Sequence, residues 1–201
     1  MNTSVLPEGF RLENVVDFRY NGKLVLLINF GMIGITVLLV WAMAQIHPFT
    51  LFLPLDADYT TFQRFMVPIS VLIFLFLYSH VRELLHLLAF VLVSRKKPVY
   101  HMRFFSASAG QTNFYFTKSW YLFITLFPFV FIAVVLGAML FFLPDPWFWV
   151  VFIVEAFHIS SGVKDAYICS AIHDAPKGSF ILDDSSVIKI YSPEASFPVH
   201  K

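Results

Sequence analysis

The sequence predicts an all-α integral membrane protein: about four transmembrane helices carrying a small cytoplasmic β-hairpin element. Three observations predict it. The first is composition. Of 201 residues, 58% are hydrophobic and only 13% charged, with a mean hydropathy of +0.73. Soluble domains carry about 25% charge, so this chain has too little polar surface to cover a globule in water, whereas its 25 Phe suit a surface facing lipid. The second is run length, because four segments reach the roughly 20 apolar residues that cross a hydrocarbon core. The third is the placement of Lys and Arg, which alternates between the connections as the positive-inside rule requires.

The elements follow in order. Residues 1–23 hold Glu8, Arg11, Glu13, Asp17 and Arg19 before any apolar run, and read as a cytoplasmic N-terminal segment rather than a signal peptide. The first span, about 24–46, contains one strongly polar interior residue, Asn29. It ends without a small-residue cleavage site and reads as a retained membrane anchor. The second span, about 65–94, is overwhelmingly apolar yet includes His80, Arg82, Glu83 and His86. The loop 99–117 is β-prone: Val99–Phe105 and Thr112–Thr117 flank Ser106–Gln111, which predicts a hairpin. The third span, about 120–143, is interrupted only by Pro128 and Gly137. The fourth, about 146–172, carries Glu155, His158, Lys164 and Asp165. In the cytoplasmic tail, 173–201, the run Ser186–Tyr191 alternates like a strand that could join the hairpin's edge. The four spans 24–46, 65–94, 120–143 and 146–172 thus form one transmembrane domain, 24–172.

Orientation comes from the basic residues. Arg11, Arg19 and Lys23 precede the first span, Arg95, Lys96, Lys97, Arg103 and Lys118 separate the second and third, and Lys177, Lys189 and Lys201 follow the fourth. The other two connections hold only Arg64. Both termini and the long loop are therefore expected in the cytoplasm, as an even number of spans demands. The formal net charge of +1 gives no ground for a nucleic-acid partner. Cys169 is the sole cysteine, which excludes an intrachain disulfide and a cysteine metal cage.

Ionisable side chains at bilayer depth cost roughly 2.5–3.5 kcal/mol each on insertion scales, so they pair, face the bundle interior or line a wet cavity. Here the second and fourth spans hold nearly all of them. At 3.6 residues per turn, Arg82 and His86 share a helix face, Glu83 lies about 60° from His86, and His80 points the opposite way from Arg82. On the fourth span Glu155, His158, Gly162 and Asp165 form one stripe about 80° wide, with Lys164 pointing away. Two such stripes are expected to face each other. His86 and Asp165 both lie roughly 10–12 Å below the cytoplasmic surface, counted along the helices.

Arg82-Glu83-Leu84-Leu85-His86 resembles a degraded His-Glu-x-x-His helix, the zinc-binding signature in which Glu is the general base. The stretch His158-Ile159-Ser160-Ser161-Gly162-Val163-Lys164-Asp165 resembles the second motif of a family of bacterial membrane proteins labelled putative zincin peptidases, similar in layout to site-2 proteases. Pro128 and the β-element between the second and third spans fit the same pattern, so the resemblance covers roughly residues 71–193. It implies zinc as cofactor, His86 and Asp165 as metal ligands, and Glu83 as the base that takes a proton from zinc-bound water. The departure is Arg82 at the first ligand position, because a guanidinium stays protonated and cannot coordinate a cation. His158 could substitute only if its ring reaches the same metal.

Two functions follow. One is an intramembrane zinc metallopeptidase, or a relative catalytically impaired by Arg82, acting on a membrane-protein substrate or partner. The other is a non-enzymatic interaction or scaffold protein without a metal, in which Arg82, Glu83, Glu155 and Asp165 form a structural ion-pair network. The lipid bilayer is a partner in both. Residence in a bacterial plasma membrane is implied by the resemblance alone.

Overall fold

The computed structural model describes residues 2–18, 22–51, 60–96, 99–103, 106–110, 114–184 and 187–194. Four helices among them are long and apolar enough to cross a membrane: α1 (Gly22–Ala44), α2 (Thr61–Ser94), α3 (Lys118–Leu140) and α4 (Trp147–Asp174). Each begins and ends within a few residues of its expected span. Their outward faces are what a bilayer requires, since α1 alone exposes Leu27, Phe30, Ile33, Val37 and Trp41.

The chain divides into two compact units, each with its own packing. The first comprises Met1–Leu26, Glu83–Pro128 and Lys164–Lys201. It contains a four-stranded antiparallel sheet in the order β1 (Phe10–Asp17), β6 (Val187–Pro193), β5 (Phe180–Asp183) and β4 (Phe116–Thr117). The register runs from Phe10 opposite Pro193 to Asp17 opposite Val187, with an irregularity between Leu12 and Asn14. The sheet buries Phe116, Ile181, Ile188 and Ile190 in one core with Phe90 of α2, Tyr121 and Ile124 of α3, and Ile168 and Ile172 of α4. The end of α4 is capped from α3: the Lys118 ammonium donates to the His173 carbonyl of the last turn (3.0 Å) and to the carbonyl of Ala175 just beyond it (2.5 Å), where carbonyls lack intrahelical partners.

The strands differ from expectation in three ways. The hairpin exists, but β2 (Val99–Arg103) pairs with β3 (Ser106–Gly110), the stretch read as its turn. Backbone ladder bonds need no side chains, so a Ser/Ala/Gly segment can pair despite weak strand propensity. The expected second strand lies partly outside the described residues, at Thr112 and Asn113, and its described end, Phe116–Thr117, pairs with β5. The tail strand joins β1 and β5 instead of the hairpin, and its first expected residue, Ser186, lies outside the described residues, as do Arg19, Lys97 and Lys201. The N-terminal segment, read as plain chain, supplies β1.

The second unit comprises Leu27–Arg82 and Phe129–Val163. Val67 and Val71 of α2 pack with Trp149 and Val150 of α4 and with Leu51, flanked by Val40 and Met43 of α1. The indole N–H of Trp149 donates to the Pro48 carbonyl at 2.5 Å, and Phe49 meets the indole edge-on at 4.7 Å, fastening the chain after α1 onto the start of α4.

Candidate functional site

α4 is the most enclosed of the four helices. Its most apolar window is 56% buried, against 6% for α1 and 22% each for α2 and α3. The stripe expected on α4 sits inside. Glu155 (7% exposed), His158 (0%) and Asp165 (6%) are buried, Gly162 is partly buried, and Lys164 is exposed as expected. The ammonium of Lys164 lies over the ring of Phe18 at 5.0 Å.

Arg82, Glu83 and His86 are half-buried on one uninterrupted stretch of α2. Glu83, His86 and Asp165 belong to the first unit, while Arg82, Glu155 and His158 belong to the second. The Tyr121 hydroxyl donates to the Asp183 carboxylate of β5 at 2.6 Å.

Within the second unit, the polar run of α2 meets the stripe of α4 at Tyr78. Its hydroxyl lies 2.9 Å from His158 Nδ1 and 3.1 Å from Ser161 Oγ. His158 Nε2 lies 2.8 Å from the Phe129 carbonyl of α3, and the two rings pack tilted at 33° with centroids 4.8 Å apart. Ser160, next along α4, bonds Thr36 of α1 at 2.7 Å. The α3–α4 approach is close because Gly162 has no side chain: a Cβ built there would stand 2.7 Å from the Phe129 ring. Sequence reasoning does not single out Tyr78, Ser161, Thr36 or the Phe129 carbonyl. The available signal is weak, a tyrosine one turn before Arg82 on the same helix.

A zinc ion fits this donor set poorly. Arg82 cannot coordinate it. His158 cannot replace Arg82, because both of its ring nitrogens are engaged in hydrogen bonds inside the second unit. Among the described residues no group of three His, Cys, Asp or Glu side chains could hold a metal ion, whereas a catalytic zinc takes three protein ligands.

The family model described as "Putative zincin peptidase" matches residues 65–180, more than half of the chain. The chain belongs to that family. No curated protein and no solved structure matches it. The family match spans nearly all of α2 and the whole of α3 and α4, and thus takes in every zincin-peptidase position discussed above, including the arginine that departs from the ligand signature.

Proposed function

We propose that this zincin-peptidase relative is a non-catalytic membrane protein, which keeps the family's helical framework for interaction with another membrane protein and has lost the metal centre. One observation carries the reading: Arg82 occupies the first ligand position of the motif on α2. A permanent cation there removes one ligand and repels a divalent ion from the other two. The engagement of His158 supports it further, since both of its ring nitrogens are already hydrogen-bonded. The polar side chains of α2 and α4 then serve the bundle, as buried ionisable groups in membrane helices do when they hold neighbours together. The distribution of Lys and Arg supports a cytoplasmic location for both termini and the sheet, and the family supports a bacterial plasma membrane. A second reading, a metallopeptidase with an altered ligand set, is favoured by the retention of Glu83, His86 and the buried Asp165.

Metal analysis of the purified protein separates the two. Wild type is expected to contain no stoichiometric zinc and to fold equally well as His86→Ala, while Arg82→His gains zinc. One zinc per chain in wild type, lost in His86→Ala, would overturn the proposal.

A further inference from the structure

Glu155 is a carboxyl enclosed without a partner. It is 7% exposed, its Oε2 has no hydrogen-bond partner among the described residues, and none of them forms an ion pair with it. The levels of the helices within the second unit explain why. Tyr78 of α2 and the Phe129 carbonyl of α3 meet His158, and Thr36 of α1 meets Ser160. At 1.5 Å per residue, Glu155 is then level with roughly residues 74–77 of α2, 38–42 of α1 and 132–136 of α3. None of the side chains in those stretches is ionisable. Their one polar atom is the indole nitrogen of Trp41, a residue 61% exposed. Backbone N–H groups at these levels are spent inside their own helices.

The positive groups of the same unit stand elsewhere. Residues 27–44 of α1 and 129–140 of α3 hold none. On α2, Arg82 lies about 10 Å along the axis toward the C-terminal end from the level of Glu155, and Arg64 about 16 Å toward the N-terminal end. His80 turns Nδ1 to the Phe76 carbonyl of its own helix at 2.9 Å, and its Nε2 also lacks a hydrogen-bond partner, so the two orphaned groups do not meet. His158, one turn along α4, directs its ring nitrogens to Tyr78 and the Phe129 carbonyl. His47, beyond the end of α1, stacks on Phe148 with ring centroids 4.1 Å apart.

A carboxylate shut among apolar side chains, with neither a cation nor a donor, carries a desolvation cost that a neutral acid avoids, and such groups take up a proton instead. We propose that Glu155 is a proton-binding site inside the membrane-spanning helices, its carboxyl holding a proton at neutral pH. The proton comes from water: one O–H bond forms and one negative charge is cancelled. Releasing it would leave an unpaired charge on the most enclosed helix, so release requires water or a counter-charge to enter beside α4. Proton occupancy of Glu155 thereby controls how closely α4 packs in this unit. The site is independent of any zinc chemistry and of the function proposed above.

The test is infrared spectroscopy of the full-length protein in lipid bilayers at neutral pH. Wild type is expected to show the carbonyl stretch of a protonated carboxylic acid. That band should vanish in Glu155→Gln and persist in Glu83→Gln and Asp165→Asn. Absence of the band in wild type would overturn the proposal, as would a band that survives in Glu155→Gln or is lost instead in either of the other variants. Should Glu155→Gln fail to fold, carbon-13 labelling of the glutamate carboxyls in wild type and in Glu83→Gln provides the second measurement. The band is expected to shift to lower frequency in both proteins, and an unshifted band in either counts against Glu155.

Discussion

Replacing Tyr78 by Phe removes one oxygen and nothing else, so its cost reads the polar network without a cavity. The hydroxyl spans 2.9 Å to His158 and 3.1 Å to Ser161, joining α2 to α4. His158 is fully buried and Ser161 nearly so, which keeps water from replacing the missing partner. A buried polar group left unsatisfied costs about 1–3 kcal/mol in a soluble protein. Membrane helices lower that figure. Interhelical bonds measured by double-mutant cycles average about 0.6 kcal/mol and reach about 1.7, because the unfolded chain in lipid also finds partners. Because the substitution breaks both hydrogen bonds of the hydroxyl at once, the expected destabilisation is about 1–2 kcal/mol, near a tenfold shift in the folding equilibrium. The assay is reversible unfolding of the purified protein in mixed micelles with sodium dodecyl sulfate, followed by far-ultraviolet circular dichroism. Ser79→Ala is the control. Its hydroxyl bonds the Phe76 carbonyl of its own helix at 2.8 Å, so the change is expected within about 0.5 kcal/mol of wild type. A cycle with Ser161→Ala should return a coupling of at least about 0.5 kcal/mol. Full stability in Tyr78→Phe, or strict additivity with Ser161→Ala, would refute the reasoning.

Four further substitutions test the packing of the same unit by the same unfolding assay. Ala gains about 1 kcal/mol over Gly in a helix interior, and Gly137→Ala should show that gain because a Cβ there meets nothing within 4 Å. Gly162→Ala should reverse the sign, because its Cβ would stand 2.7 Å from a Phe129 ring that is itself held against His158. Overpacking of this kind costs about 1–3 kcal/mol, so a stabilised Gly162→Ala would show the α3–α4 approach to be looser than described. Trp149→Phe is expected to cost about 1–2 kcal/mol through the broken bond to Pro48 and the smaller ring. Trp41→Phe, at a residue 61% exposed, should be neutral.

The helices were legible because a span declares itself locally, and some twenty apolar residues in a row admit few other structures. The strands were not, because pairing is a long-range property. β1 has one buried residue, Val16, and no clean alternation, so only its partner β6 at the far end of the chain makes it a strand. Ser106–Gly110 failed for the opposite reason: its composition is that of a turn, and register alone makes it the second arm of the hairpin. For the candidate site, Arg82 could be judged from chemistry before any coordinate, since no environment turns a guanidinium into a zinc ligand. The commitments of His158 could not. They depend on a hydroxyl from α2 and a carbonyl from α3, neither of which has a sequence signature.

The order in which the spans are buried has a physical cause that hydropathy obscures. Ranked by apolar content α4 would come last, yet it is the most enclosed, and the strongly apolar α1 is the least enclosed. In water the reverse pairing of burial and polarity would be expected. In lipid no hydrophobic force drives one apolar helix onto another, and the groups with most to gain from leaving the hydrocarbon are the polar ones. Ser160, Ser161, His158 and Glu155 therefore draw α4 inward. Small residues then let the neighbours come close enough to bond them, Gly162 against Phe129 and Ser160 against Thr36. On this account, substituting apolar residues for those four should loosen α4 from the bundle even as it makes the helix more soluble in lipid. A hydrophobicity scale would score the same changes as stabilising, so the sign of the measured effect decides between the two.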